Sequence, residues 1–355
     1  MTKTGSLIFY LTIYILSAYG LHGAFKMSNK KLRLLFVVMA ICIPCLMASY
    51  RYGVGTDYDN NYNMFNYYSK MSLNGYLNYS NAVEPAFYLF SKIAGLFKSY
   101  RFFFFLFAVA IYAPIVSFIA SGKHRQPIFL MTFIFLLTSF TSGLNIMRQM
   151  AAVSICFYST KFIIEKKHAK YLFGICVASL FHITALVMLP LYYVWSTRKR
   201  WSVFDLKTIL IYIAYFSAAI CVPYILRLMG GRYAGYVNNA VHSANLSIVL
   251  NVIWVSVYLL SRKRILKNNS EMKLFLIMAV IGMILSFTGL YSPYIKRIAI
   301  YFSCVEFVLL PQMSVVFSKR TRKFVYILIF IYEILIFILS YGVLGHSDIV
   351  PYRYK

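Results

Sequence analysis

Long apolar stretches separated by short polar segments recur along the whole chain. A helix needs roughly 20 mostly apolar residues to cross the hydrocarbon core of a bilayer, and the pattern supplies that length repeatedly. A β-barrel would instead show segments of about ten residues in which apolar and polar positions alternate. The pattern therefore predicts an all-α polytopic membrane protein with about 10–12 transmembrane helices, some of them short or broken.

The basic clusters between the apolar runs predict how the chain threads through the membrane. If these clusters lie in the cytoplasm, as the positive-inside rule requires, one consistent threading results, with both termini outside. The predicted spans are residues 5–25, 31–49, 102–120, 128–144, 146–165, 208–226, 246–261, 273–290, 298–317 and 324–343. The segment 170–195 must leave the cytoplasm and return to it, so we expect two short half-spans with a break near Phe181 and His182.

This threading leaves two long segments on the outer side of the membrane. Residues 50–100 form an outer loop, in which Glu84 to Lys98 is predicted to be an interfacial or re-entrant helix. Residues 227–247 form a second outer loop. No linker, repeat or low-complexity segment divides the chain, so residues 1–355 are predicted to form a single integral membrane domain.

Composition supports a membrane protein and adds a strong charge imbalance. Hydrophobic residues make up 61% of the chain, which is more than a soluble domain of this length can bury. The net charge is +27, because 36 lysines and arginines face nine acids. In a soluble protein this imbalance would indicate nucleic acid binding, but here basic loops follow the positive-inside rule, and no nucleic-acid partner is expected. Basic residues on the outer face indicate an anionic ligand instead.

The remaining polar chemistry falls on the outer side once the cytoplasmic clusters are set aside. Its first part is RYGVGTDYDNNYNMF, residues 51–65, which directly follows the second span. A charged side chain at membrane depth costs about 2.5–3.5 kcal/mol, so such residues tend to mark substrate pathways. The outer polar residues are Arg51, Asp57, Asp59, Glu84, Arg148, Gln149, His182, Arg227, Arg232, Tyr233, Tyr236, Lys296 and Arg297.

Several of these residues have a structural and a functional interpretation. Arg148 and Gln149 begin a span after a Gly-Leu-Asn break, where an arginine either snorkels to the headgroups or binds phosphate bidentately. His182 is surrounded by apolar residues, which favours a packing role, although an imidazole at a helix break can act as a general base. For the outer tyrosines, including Tyr233, the aromatic belt of the interface is favoured over sugar stacking.

No sequence signature of a soluble enzyme is present. The chain has no P-loop, no HExxH, no paired Cys/His metal spacing and no GxSxG. Asp57 and Asp59 have no further acids beside them, so they make a poor cage for a divalent cation. Neither a metal ion nor a cofactor is therefore expected.

Three blocks of sequence, in order, resemble one family. Residues 51–65 resemble the signature of the EpsG/Wzy-type polysaccharide polymerases. LNIMRQMAAVSICFYSTKFI is similar to the family's Arg-Gln-x-x-Ala helix, and LFHITALVMLPLY is similar to its Phe-His-x-x-Ala segment. The blocks cover residues 51–195, and the C-terminal half matches more loosely, through YIKRIAIYF and the closing DIVPYRYK.

The resemblance implies a repeat-unit polymerase for O-antigen or capsule in the bacterial inner membrane. Such enzymes are similar to the GT-C class of glycosyltransferases, need neither metal nor nucleotide sugar, and have a cavity and active site facing the periplasm. They transfer a growing glycan from undecaprenyl pyrophosphate to the terminal sugar of a lipid-linked repeat unit. The implied partners are the lipid-linked donor and acceptor, membrane lipids and, as a further candidate, a chain-length regulator.

Candidate roles follow from the charge that builds on the leaving pyrophosphate, which preorganised arginines stabilise. Arg148 is the predicted catalytic arginine. Asp57 and His182 are alternative general bases, although a base close to arginines is acidified and thereby weakened. Gly53 and Gly55 would let the backbone approach the ligand or an arginine closely. The predicted substrate-binding residues are Arg51, Gln149, Arg232, Tyr233 and Arg297.

Two other classes of protein stay open at this stage. A lipid-linked oligosaccharide flippase or other transporter also has many spans and buried basic groups, but it would place charges along a central path with internal repeats. An O-antigen ligase or membrane acyltransferase would also combine arginines with a histidine in its site, as a polymerase would. Purified lipid-linked repeat units would separate these classes, because a polymerase lengthens glycans without core lipid or acyl donor.

Overall fold

The computed structural model describes residues 1–80, 82–121, 127–196, 203–229, 246–289 and 293–355. Most of this part of the chain is helical, and no strand is formed within it. Arg51 and Tyr354 form an isolated antiparallel bridge between two extended residues. The predicted all-α fold is therefore confirmed for the described residues.

The helices follow the apolar runs of the sequence. In chain order they are α1 (Lys3–Ala24), α2 (Lys30–Tyr50), α3 (Tyr58–Lys70), α4 (Leu73–Leu77), α5 (Pro85–Leu96), α6 (Tyr100–Ala120), α7 (Ile128–Phe135), α8 (Thr141–Gly143), α9 (Met147–Ile164), α10 (His168–Phe181), α11 (Leu189–Ser196), α12 (Leu206–Met229), α13 (Leu246–Asn268), α14 (Met272–Thr288), α15 (Pro293–Ser303), α16 (Glu306–Val316) and α17 (Lys319–Phe337). The π-helical segments are Leu136–Phe140 and Ile338–Val343, and the 3-10 segments are Ile183–Met188 and His346–Asp348.

Within the described ranges, five helices are long and apolar enough to cross a membrane. They are Lys3–Ala24, Lys30–Tyr50, Tyr100–Ala120, Ile295–Val316 and Arg320–Val343. Shorter apolar helices occupy Ile128–Gly143, His168–Phe181, Ile183–Tyr193, Leu206–Cys221 and Met272–Thr288. The chain is therefore a polytopic helical membrane protein, as predicted, and the total of ten to twelve spans stays a prediction.

Polar residues fix where three of the spans begin. The side chains of Thr2, Asn29 and Ser99 precede α1, α2 and α6, and each accepts a hydrogen bond from a backbone N–H group in the first turn. These N–H groups have no partner inside the helix, and a side-chain oxygen at this position satisfies them. Local sequence therefore sets the helix boundaries close to the predicted ones.

Two irregular features predicted from the sequence, a helix break and a helix in the loop 50–100, are present, and their half-span and interfacial character stays a prediction. The segment 170–195 is broken at His182, which lies between α10 and the 3-10 segment that follows it. In the loop 50–100, α5 occupies the region predicted to be helical from Glu84 to Lys98. The same loop contains α3, which the apolar pattern did not predict, because only one face of this helix is apolar.

The described residues group into two compact units. The first consists of Met1–Lys161, Phe173–Leu186 and Tyr326–Lys355, and the second of Phe162–Leu172 and Val187–Val325. The single domain predicted for residues 1–355 stays a prediction.

The first unit is held together by hydrogen bonds inside an apolar core. The Ser17 hydroxyl donates to the Ala40 carbonyl over 2.7 Å and lies 2.9 Å from the Tyr112 hydroxyl, which joins α1, α2 and α6. The Tyr14 hydroxyl lies 2.8 Å from Thr141 Oγ1 and joins α1 to α8. Because a polar group in an apolar core is costly unless it is paired, these bonds favour one arrangement of the helices.

In the second unit, α14 is buried along most of its length and packs against α12, α13 and α15. The Tyr215 hydroxyl of α12 donates to the Val187 carbonyl over 2.8 Å, and Asn251 of α13 donates to Ser286 of α14 over 3.2 Å. The predicted outer loop 227–247 falls mostly outside the described residues, and α12 extends to Met229.

Candidate active site

The stretch that follows α2 meets the turn that precedes α9. Arg51 Nη2 donates to the Leu144 carbonyl over 3.0 Å. Asn145 Oδ1 accepts from the Asp57 backbone N–H over 2.8 Å and from the Thr56 hydroxyl over 3.0 Å. Two of the three sequence blocks that resemble the polymerase family are therefore joined in space, although they lie far apart in the sequence.

Two glycines give this stretch its shape. Gly53 and Gly55 have φ angles of +58° and +99°, a region that side chains with a Cβ atom disfavour. A Cβ atom on Gly55 would lie 3.4 Å from the Leu144 carbonyl oxygen and from Asn145 Oδ1. Gly55 thus lies against the turn before α9. The close approach predicted for these glycines, to the ligand or to an arginine, stays a prediction.

The C-terminal segment pairs with the same stretch. The Tyr52 N–H donates to the Arg353 carbonyl over 2.9 Å, and the Gly55 N–H donates to the Asp348 carbonyl over 3.1 Å. The hydroxyl of Tyr352 donates to the Met47 carbonyl in the last turn of α2 over 2.8 Å. The closing segment, which resembled the family only loosely, is thus part of the framework of the site. This framework consists of residues 51–57, the turn at Leu144 and Asn145, and the C-terminal segment 348–353.

Arg51 lies inside this framework, with 2% of its surface exposed. Its two terminal nitrogens donate to the carbonyls of Ala48 and Leu144, and its guanidinium lies 4.4 Å from the centre of the Phe104 ring. Burial lowers the pKa of Arg51 to about 10, which leaves the group charged at neutral pH. The backbone thus holds both terminal nitrogens of this guanidinium, and the substrate-binding role predicted for Arg51 stays a prediction.

Arg148, the second residue of α9, is placed differently. Its Nη1 atom lies 2.7 Å from Oε2 of Glu84, and the two side chains are 30% and 19% exposed. The guanidinium also lies 5.5 Å from the centre of the Phe87 ring, which orients it through a cation–π contact. Gln149, the next residue, is buried. Arg148 therefore combines partial exposure with a carboxylate partner.

The backbone around Glu84 is held on both sides. The N–H of the preceding residue, Val83, donates to the Tyr68 hydroxyl over 3.3 Å, and the Tyr76 hydroxyl donates to the Val83 carbonyl over 2.8 Å. Pro85 then begins α5. Sequence reasoning placed Glu84 among the outer polar residues but gave it no role. The sequence did carry a signal, because Glu84 is one of only nine acids and directly precedes a proline that starts a helix.

Asp57 and His182, the two predicted bases, both lie in the first unit. Asp57 precedes α3, and its carboxylate makes no capping bond to that helix. Nδ1 of His182 lies 2.7 Å from Thr184 Oγ1, just after α10. The adjacent Phe181 ring packs against Phe90 of α5 with ring centres 5.5 Å apart, so the helix break contacts the helix that Glu84 precedes.

The remaining predicted site residues belong to the second unit or lie outside the described residues. Arg297 is exposed near the start of α15 and belongs to the second unit. Arg232 and Tyr233 lie outside the described residues. In the part of the chain that the structure describes, no three His, Cys, Asp or Glu side chains lie close enough together to hold a metal ion.

The fold and this charged site define a polytopic membrane protein with a partly exposed arginine–carboxylate pair in its first unit. Residues 34–354, nearly the whole chain, match the sequence model of the EpsG family. The chain therefore belongs to the EpsG family, whose members are similar to Wzy-type polymerases, and it is a polysaccharide-polymerase-like membrane protein. No curated protein and no solved structure matches the chain.

Proposed function

We propose that this protein is a glycosyltransferase that polymerises lipid-linked repeat units. It transfers a growing glycan from undecaprenyl pyrophosphate to the terminal sugar of the next repeat unit, at the periplasmic face of the bacterial inner membrane. Family membership supports the class of reaction. The observation that supports the site is the partly exposed Arg148, held by a carboxylate rather than by the protein backbone.

The chemistry of the donor explains why an arginine is needed. When the bond from the sugar C1 to the pyrophosphate oxygen breaks, negative charge builds on the leaving group. A guanidinium can donate two parallel hydrogen bonds to phosphate oxygens, and Arg148 supplies this fork in place of a metal ion. Arg148 also lies in the first turn of α9, where the positive end of the helix dipole favours an anion.

The turn before α9 supports Arg148 through its hydrogen bonds to the stretch that follows α2. Asn145 lies three residues before Arg148, and its Oδ1 accepts from the Asp57 N–H and the Thr56 hydroxyl. Arg51 donates to the carbonyl of Leu144, the residue before Asn145. These bonds fix the turn from which α9 starts. Loose positioning of a catalytic group can reduce the rate severely, so a fixed turn contributes to catalysis without touching substrate.

The other predicted roles are part of the proposal on sequence grounds. Asp57 and His182 are candidate bases for the acceptor hydroxyl. Gln149 and Arg297 are candidate substrate contacts, as are Arg232 and Tyr233.

A strain that lacks the protein, complemented with Arg148→Ala, tests the function. Removing the stabiliser of a developing negative charge typically costs a factor of about 10²–10³ in rate, so we expect exported glycan to consist of single repeat units. Arg148→Lys should not restore long chains, because an ammonium group cannot form the bidentate contact. The measurement is the ladder of glycan lengths on a gel.

Lys167→Ala is the matched control, because Lys167 forms an ion pair of the same length, 2.7 Å, with Glu165 elsewhere in the chain. This variant should give a normal ladder. Long chains in the Arg148→Ala strain would contradict the catalytic role, and repeat units retained inside the cell would indicate a flippase. Elongation of purified lipid-linked repeat units alone separates a polymerase from a ligase or an acyltransferase.

A further inference from the structure

Glu84 is a carboxylate in direct contact with the arginine proposed to bind the leaving group. The Oε2–Nη1 distance of 2.7 Å is that of a charge-assisted hydrogen bond. Both side chains remain partly exposed, so this pair is open to replacement by a ligand. The anion that the donor brings to Arg148 and the Glu84 carboxylate therefore compete for one guanidinium.

We propose that the donor pyrophosphate displaces Glu84 from Arg148, and that the freed carboxylate then accepts the proton of the acceptor hydroxyl. This inference rests on the proposed polymerase function. It assigns Glu84 two linked tasks, to occupy Arg148 in the free protein and, in place of Asp57 or His182, to act as the general base once donor is bound.

The exchange is favoured by charge and by geometry. A partly exposed ion pair contributes little net stability, because water screens it and two side chains must be ordered. A pyrophosphate group offers more negative charge and several oxygens arranged for the guanidinium fork. The pyrophosphate is therefore the stronger partner of Arg148.

The structure keeps the released carboxylate near the reaction. The backbone of Val83 is held by the hydroxyls of Tyr68 and Tyr76, and α5 begins directly after Glu84. Displacement therefore requires only rotation of the Glu84 side chain, while its Cα stays beside the start of α9.

The proposed step is balanced. The acceptor oxygen forms a bond to C1 of the donor sugar, and the bond from C1 to the pyrophosphate oxygen breaks with its electron pair staying on that oxygen. The proton of the acceptor hydroxyl passes to a carboxylate oxygen of Glu84. Departure of undecaprenyl pyrophosphate frees Arg148, and Glu84 releases its proton to water as the ion pair forms again.

The purified full-length protein tests both parts with Glu84→Gln. Removing the competing charge should make inorganic pyrophosphate bind several-fold more tightly, measured by calorimetry. Turnover of lipid-linked repeat units should fall by about 10²–10⁴-fold, the usual contribution of a general base. A merely structural role would instead weaken binding and turnover together.

Glu165→Gln is the matched control, because Glu165 forms the 2.7 Å ion pair with Lys167 and its side chain is 16% exposed. This variant should behave as the wild type in both measurements. Glu84→Asp keeps a carboxylate with a shorter reach, so it should also bind pyrophosphate more tightly while retaining more turnover than Glu84→Gln. It serves for both measurements if Glu84→Gln does not fold.

Weaker or unchanged pyrophosphate binding in the Glu84 variants would overturn the exchange. Undiminished turnover in Glu84→Gln would overturn the role as a base. If the wild type does not elongate glycans, the proposed function fails, whereas the pyrophosphate measurement still decides whether Glu84 and an anion compete for Arg148.

Discussion

Two arginines, one in each of two sequence blocks that resemble the polymerase family, have different surroundings. Arg51 is buried, and its guanidinium donates to two backbone carbonyls. Arg148 is partly exposed and forms an ion pair with the Glu84 carboxylate. Both were predicted to meet the substrate, but their partners differ, and in the proposed function Arg148 meets the substrate while Arg51 supports the site.

The two arginines have different partners because one follows the C-terminal end of a helix and the other lies at the N-terminal end of a helix. Arg51 comes directly after α2, where the last carbonyls of a helix have no partner within it and accept from a cation. Arg148 lies in the first turn of α9, where the unpaired backbone groups are N–H donors. A guanidinium there finds no backbone acceptor in its own turn and needs an anion, from a side chain or from a ligand.

The largest expected effect on stability is that of Arg51→Ala. This change leaves the carbonyls of Ala48 and Leu144 without their donor, at about 1–3 kcal/mol for each buried group. We expect a clearly lower unfolding temperature in detergent and little folded protein. Arg148→Ala, which breaks a partly exposed pair, should change the free energy of unfolding by about 1 kcal/mol or less. Equal stability losses in the two variants would remove the distinction between them.

A smaller loss of stability is expected for Asn145→Ala, which removes the hydrogen bonds between the turn before α9 and the stretch that follows α2. Asn145 Oδ1 accepts two hydrogen bonds, so its loss should cost about 1–2 kcal/mol of unfolding free energy. Because the turn before Arg148 is then no longer held, turnover should fall more than this stability loss explains.

The control for that variant is Asn269→Ala in the second unit. Asn269 Oδ1 also accepts a backbone N–H, that of Glu271, over 2.9 Å. Normal turnover is expected there, with a smaller stability loss, because this change removes one such hydrogen bond rather than two. If Asn145→Ala keeps wild-type turnover per folded molecule, the framework does not position Arg148.

Much of the fold was predictable because its signals are local. Apolar runs and capping residues mark the spans, and the break at His182 follows from a segment too short for two full crossings. The site was only partly predictable. Arg148 and Asp57 stand out as charges in an apolar chain, but the partner of Arg148 lies 64 residues away, and no periodicity encodes such a pairing.

The same limit applies to Arg51 and the C-terminal segment. Charge alone could not show that Arg51 would be satisfied by carbonyls, because that depends on the turn at Leu144, 93 residues further along the chain. The pairing of Tyr52 with Arg353 joins stretches near opposite ends of the sequence. Both contacts arise from the packing of whole helices, which single-sequence patterns do not specify.

Chemical modification of arginines in the intact wild-type protein tests the central claim, that Arg148 meets the substrate and Arg51 supports it. Purified protein is treated with phenylglyoxal, which reacts with accessible guanidinium groups, with and without undecaprenyl pyrophosphate, and the modified residues are identified by mass spectrometry. The account predicts that Arg148 reacts in the free protein and is protected by the lipid, while Arg51 stays unmodified in both samples. Reaction of Arg51 with protection by the lipid, or equal modification of Arg148 in both samples, would contradict it.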